Sequence, residues 1–289
     1  MDQFPAIALN FKSGKARNRL RQLAVFVILC AISLIFLGPF AWMVATSLKP
    51  NSQIFTPRMV WVPHPILFRN YVEALARFPF WLYTRNTLFI CMMTMIGTVI
   101  SALLPAYGFS RLRWRGRDFF FIVMIATIML PAQVTLLPVF LLFRQLHWIG
   151  TFLPLVVPPF FGSAFSIFLM RQFLMTIPQE LSDAARIDGC SDLRILFSIL
   201  APISKPAIAT IALLSFTGAW MDFLNPLIYL HNEHYYTLAI GLLYFMGRHN
   251  NDWSHLMAAA TVITVPMLVI FFFAQRTFIQ GIALTGLKG

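Results

Sequence analysis

Charge is what this chain has least of, acidic charge above all. Ten Asp and Glu stand against 22 Lys and Arg in 289 residues; 11% of the chain is charged and 59% hydrophobic. A soluble domain carries about 45–50% apolar and about 25% charged residues, so a water-soluble globule is excluded. Cysteine is scarce too: Cys30 and Cys91 lie in apolar runs and Cys190 in a charged stretch. These give neither a disulfide framework nor a metal spacing and read as small packing residues. No G-x-x-x-x-G-K-[ST] occurs, since "SGKA" at 13–16 lacks both the spacing and the hydroxyl. ATP phosphates need that cradle and its lysine, so any ATP belongs to another chain. A repeat period and low-complexity tracts are missing as well.

Long apolar runs are plentiful. A helix needs about 20 apolar residues to cross a bilayer core of roughly 30 Å. Six stretches answer to that: 22–46, 87–109, 119–142, 152–172, 205–229 and 256–275. They are continuous where transmembrane β-strands would alternate in polarity. The expected fold is all-α, a polytopic membrane protein of six transmembrane helices. Its parts are a basic N-terminus (1–21), span 1, an outer loop (47–86), a core (87–275) and a C-terminal tail (276–289). The first apolar run exceeds the length of a signal h-region, so it is expected to remain as an anchor.

The basic residues "KSGKARNRLR" (12–21) and "RLRWRGR" (111–117) abut spans. Lys and Arg accumulate on the cytoplasmic side of membranes, which makes these topology anchors and not a nucleic-acid surface. Of the 22 basic residues, only Lys49, Arg58, Arg69, Arg77, Arg85, Arg144 and Arg248 fall on the opposite side. Both termini are therefore expected in the cytoplasm. Pro50, Pro57, Pro63, Pro65 and Pro79 predict an extended outer segment with short helices. Pro131, Pro138, Pro154, Pro158 and Pro159 predict kinks in spans 3 and 4, with freed carbonyls that protein or water must satisfy.

One stretch breaks the apolar pattern. "DAARIDGCSDLRILFSILAP" (183–202) places Asp183, Arg186, Asp188, Asp192 and Arg194 between spans 4 and 5. "TIPQ" predicts a helix start, with Thr176 as cap, Pro178 in the first turn and Gln179 completing a capping box. Leu181, Ala184 and Ala185 follow on a narrow face. Gly189 predicts the stop, since a left-handed residue costs glycine least. Ser191 can cap a second helix, whose Leu193, Leu196, Phe197 and Leu200 fall at i, i+3, i+4 and i+7. The product is a helix–Gly–helix elbow over 173–204. Its form suits a docking site for a soluble partner or an interfacial anchor.

The longer stretch "ELSDAARIDGCSDLRILFSILAPISKPA" resembles the cytoplasmic loop of ABC-importer permeases, with the pattern E-A-A, then D-G, then proline. Asp183-Ala184-Ala185 occupies the first position, Asp188-Gly189 the second and Pro202 the third. Asp183 replaces the usual Glu, Cys190 an alanine, and Ala201 a leucine. "GPFAWMVATSLKP", "PAYGFSRLRWRGRD", "GAWMDFLNPLIYL" and the final "GLKG" are similar to carbohydrate-uptake permeases of the maltose type, in particular the shorter six-span member of the pair.

That resemblance implies a type I ABC-importer permease fold in a bacterial inner membrane. It implies a coupling helix carried by Glu180, Asp183, Ala184, Ala185, Asp188 and Gly189, seated in a cleft of an ATPase, with the tail "GIALTGLKG" as a second contact. The implied partners are a second permease, two ATP-binding subunits carrying ATP and Mg, and an extracytoplasmic sugar-binding protein. No catalytic residue, resident cofactor or metal is expected in this chain.

Asp222 is the one acid well inside an apolar run. Such an acid costs about 2.5–3.5 kcal/mol on insertion scales and faces the bundle interior or water. Asn225 shares its helix face at i+3, and Trp220 lies two residues before it. Acid, amide and aromatic ring suit a sugar, so Trp220, Asp222 and Asn225 are candidates for a substrate path; helix packing is the competing use. His231, His234, His249 and His255, with Glu233 and Asp252, lie in or near the loop 230–255, but "HNEH" is too sparse for a metal site. Tyr235, Tyr236 and Trp253 suit an interfacial belt. An ion-driven transporter would show several ionisable residues at mid-membrane, and an intramembrane enzyme a nucleophile–base cluster. A polyol or glycerol phosphate remains an alternative cargo.

Overall fold

A computed structural model describes the backbone of residues 12–247 and 252–286, and side chains at 18–19, 21–247 and 252–275. Helix dominates, with no β-strand among the described residues. The longer elements are α1 (Lys12–Ser47), α2 (Arg69–Ala76), α3 (Phe80–Ser110), α4 (Arg117–Ala126), α5 (Ala132–Gln145) and α6 (Ala164–Thr176). After them come α7 (Glu180–Ile187), α8 (Asp192–Ile203), α9 (Lys205–Met221), α10 (Leu224–Tyr229) and α11 (Trp253–Gly286).

Four stretches are long and apolar enough to cross a bilayer unaided: Arg21–Ser47, Phe80–Ser110, Leu153–Thr176 and Trp253–Gln275. These answer to the expected spans 1, 2, 4 and 6, with span 2 beginning earlier, at Phe80. Span 3 is not one straight helix. The segments Arg117–Met129 and Ala132–Gln145 meet at 98°. Leu130 is extended (φ −77°, ψ 116°) because Pro131 follows it, and proline disfavours the helical conformation in the preceding residue. Span 5 also stops short of its expected end, at Met221. Asp222 leaves the helix (φ −70°, ψ 119°), and Pro226 has no N–H with which to continue it.

The body is built on α3, which packs against α6 and α9, while α11 packs against α1, α2 and α9. One core region joins Ala102, Ala106 and Tyr107 of α3 to Met170 and Leu174 of α6 and to Ile195, Leu196 and Leu200 of α8. The other joins Phe78, Tyr83 and Cys91 to Phe216, Trp220, Ala258 and Ala259. Small residues mark the crossings, as expected where van der Waals contact between close backbones drives association in lipid. Gly97 is one such point: a Cβ there would lie 2.6 Å from the Phe160 ring, so only glycine admits the Pro158–Phe161 turn against α3. Carbonyls in this proline-rich stretch find partners. Ser101 Oγ donates to the Pro159 carbonyl at 2.7 Å, and Thr94 Oγ1 to that of Leu155 at 3.4 Å. Of the cysteines, Cys91 is buried, Cys190 half-buried, and Cys30 faces outward from α1, so packing accounts for only part of the set.

Candidate functional site

The elbow forms where expected, by different local means at its entrance. Thr176 Oγ1 donates back to the Phe173 carbonyl at 2.8 Å, so it belongs to the end of α6 and does not cap α7. Pro178 makes Ile177 extended, which separates the two helices. Gln179 stands at the N-cap without a side-chain cap bond; its Oε1 accepts instead from Arg111 at 2.8 Å. Glu180 and Asp183 occupy the first turn, where the helix dipole favours negative charge.

The bend itself follows expectation. Gly189 is left-handed (φ 79°). Its N–H bonds the Arg186 carbonyl at 3.0 Å, and the Cys190 N–H bonds that of Ala185 at 2.9 Å. This pair is the Schellman ending of a helix. Ser191 then caps α8, accepting from the Arg194 N–H at 3.4 Å.

The underside of α8 differs from the four-residue apolar face expected. Ile195–Leu200 is π-helical. The wider turn brings Ile195, Leu196 and Leu200 inward with no exposure, and leaves Leu193 and Phe197 61% and 52% exposed. On α7, Ser182 and Ala185 face the core. Glu180, Asp183, Ala184, Asp188 and Gly189 are exposed, and Ile187 projects with 87% exposure.

A charged brace holds the two limbs. Arg186 contacts Asp183 at 3.0 Å and Asp192 at 3.0 Å. The Tyr107 hydroxyl donates to the same Asp192 oxygen at 2.7 Å. The bond from Tyr107, and then that from Arg186, hold the Asp192 carboxyl below its ordinary range; the bond to Asp192 raises Arg186 in return. At the entrance, the buried Arg111 donates to the Leu174 and Ile177 carbonyls at 2.6 and 2.7 Å. Sequence reasoning missed Tyr107 and Arg111. Their signal was one polar pair at i and i+4, at the end of an apolar run.

A cavity of about 360 Å³ opens between α3, α6 and α9. Thr94, Thr98, Ser163, Ser166, Ser215 and Asp222 give it a polar lining, beside Ile90, Leu155, Phe165 and Leu214. Asp222 accepts from the Asn225 backbone N–H at 3.2 Å and from its side-chain amide at 2.8 Å. Asp222 thus shapes the broken helix and faces the cavity at once. Trp220 is placed elsewhere: it is buried, stacked on Phe216, with its indole N–H 3.3 Å from the Ile263 carbonyl. The hydroxyl lining was legible only as Thr94 and Thr98, one turn apart.

Away from the elbow, His255 bridges Asp252 at 2.7 Å and Glu73 at 2.9 Å, and Arg77 also pairs with Asp252. Among the described residues no cluster suits a metal ion. His249 and the side chains of the tail "GIALTGLKG" lie outside the described residues.

Among the described residues, a helical membrane body, a polar cavity beside the broken end of span 5, and an exposed elbow seated on the core are the features of a transport subunit. The chain belongs to the family described as "Binding-protein-dependent transport system inner membrane component", which matches residues 93–284. It is 30% identical to the arabinooligosaccharides transport system permease protein AraQ of Bacillus subtilis (strain 168), over 93% of this chain and 96% of that one. It is equally 30% identical to the galactooligosaccharides transport system permease protein GanQ of the same organism, over 95% and 98%. Its fold matches a chain of a bacterial ABC transporter involved in import of the acidic polysaccharide alginate. There the TM-score is 0.78 at 24% identity, covering 96% and 99% of the two chains.

Proposed function

We propose that this chain is the permease subunit of an ATP-driven importer of oligosaccharides, working in a heterodimer with a second permease. The observation that carries the proposal is the elbow: an acid- and alanine-tipped helix, bent at Gly189, exposed at Ile187 and fixed beneath by Ser182 and Ala185. Such a surface is made to be gripped. Glu180, Asp183, Ala184, Ala185, Asp188 and Gly189 form the coupling element, on the cytoplasmic side with both termini. Two separate ATPase subunits bind ATP and Mg, and an external binding protein delivers the cargo. Closure of the ATPases moves the elbow and turns the cavity from one side of the membrane to the other.

The named cargoes of AraQ and GanQ support the sugar class. So does the cavity, whose hydroxyls and Asp222 carboxylate suit a polyhydroxylated solute that needs many hydrogen-bond partners. Asp222 belongs to the substrate path, with Asn225 fixing its orientation. The test is purification through a tag on this chain from its native membrane, followed by reconstitution in vesicles with the extracytoplasmic binding protein added. Co-purifying ATPase and second permease, with ATP-dependent uptake of radiolabelled arabino- or galactooligosaccharides, are expected. Uptake driven by an ion gradient without ATP would overturn the proposal.

A further inference from the structure

α3 is tied to both ends of the elbow by two residues one helical turn apart. Arg111 and Tyr107 are 6% and 4% exposed and lie on one face. Arg111 grips the entrance: its guanidinium donates to the Leu174 and Ile177 carbonyls at the end of α6 and to the side chain of Gln179. Tyr107 grips the exit through Asp192, which Arg186 joins to α7 across the glycine bend. Arg171, on α6 just before the elbow, holds that helix to α3 as well, donating from Nε to the Phe109 carbonyl at 3.2 Å. From its middle, the same α3 supplies Ile90, Thr94 and Thr98 to the cavity wall.

We propose that Tyr107 and Arg111 are positioning residues that lock the elbow to α3, so that a push on the elbow reaches the cavity as a rigid movement of α3. The apolar contacts under the elbow hold it to α3 through many small contacts, none of which fixes an orientation by itself. Hydrogen bonds at two points four residues apart add that orientation. A guanidinium fork fixes orientation as well as distance, which a lysine ammonium does not. The inference rests on the coupling role proposed above.

The test uses the whole complex captured through this chain, with Cys30, Cys91 and Cys190 replaced by Ala and spin labels at Ile187→Cys and Trp81→Cys. Both labelled positions are highly exposed, one on the elbow and one at the far end of α3. The distance between them is measured without nucleotide and after trapping with ATP and vanadate. With Tyr107 and Arg111 intact, the same distance distribution is expected in both states. In Tyr107→Phe, which keeps the packed ring, and in Arg111→Lys, which keeps the charge, trapping is expected to shift or broaden it. A purely structural role would lower assembly yield without making the distance nucleotide-dependent. A nucleotide-dependent distance in the unsubstituted pair, or an unmoved one in both variants, would overturn the inference. Absence of any vanadate-trapped nucleotide would overturn the functional reading as well, and so separates the two failures.

Discussion

Arg186 reaches across the bend at Gly189 to hold Asp192 at 3.0 Å, so the two limbs of the elbow are joined by charge as well as by backbone. The ion pair is half-exposed and contributes little to stability alone. Its value is angular: with the left-handed glycine between them, α7 and α8 hold one orientation.

Gly189 is the sharpest test of that orientation. A side chain at this position meets open space, so Gly189→Leu introduces backbone strain and no clash. Left-handed geometry costs a non-glycine residue about 1–2 kcal/mol, enough to reopen the bend but not to unfold the body. Normal insertion with loss of transport-coupled ATP hydrolysis is expected. Uptake assays on the variant in native vesicles check this, and unchanged uptake would count against transmission through the elbow.

At Asp222 the structural role and the proposed transport role can be separated. Asp222→Asn keeps an oxygen for the Asn225 backbone N–H, whereas Asp222→Ala removes it and the small helical cap it provides, at about 1 kcal/mol. Loss of a hydrogen bond from a charged group to the cargo corresponds to about 1.5–3 kcal/mol, or roughly 10- to 100-fold in apparent affinity. Both variants should therefore raise the solute concentration for half-maximal uptake, with only Asp222→Ala also lowering thermal stability. Equal apparent affinity in all three proteins would remove Asp222 from the substrate path.

Acid should loosen the start of α11, whose first turn Asp252 precedes. Burial alone would raise this carboxyl, but bonds from His255, Asn51 and Arg77 and the charge of His255 outweigh it and bring it down to about 2. A depressed carboxyl stabilises the fold fully above its unfolded value, near 3.9, and loses that contribution as pH falls through about 2. Asp252→Asn should lower the melting temperature at pH 7 and flatten its fall between pH 4 and about 2. Parallel melting curves for both proteins would contradict the assignment.

Much of this architecture is legible in composition. Continuous apolar runs fix the spans, and Gly189 and Ser191 fix the elbow, because each feature depends on neighbouring residues alone. The failures have a common cause. Pro131 predicts a kink, but a kink-forming proline does not set the size of the angle, which is 98° here. The π-helical turn in α8 reassigns Leu193 and Phe197, and no sequence period announces it. Trp220 lies two residues from Asp222 in the chain, yet the helix turns its ring toward α11. Tyr107 and Arg111 act on residues 63 to 85 positions away, a relation that only the folded chain displays.

The most direct measurement is a photo-crosslinking amino acid at Ile187 in the intact cell. This side chain is the most exposed apolar group of the elbow and needs no other residue to be changed. A covalent adduct with a soluble, nucleotide-binding polypeptide is predicted, diminished when Gly189→Leu is added. Adducts confined to lipid or to a protein outside the cytoplasm would contradict the account.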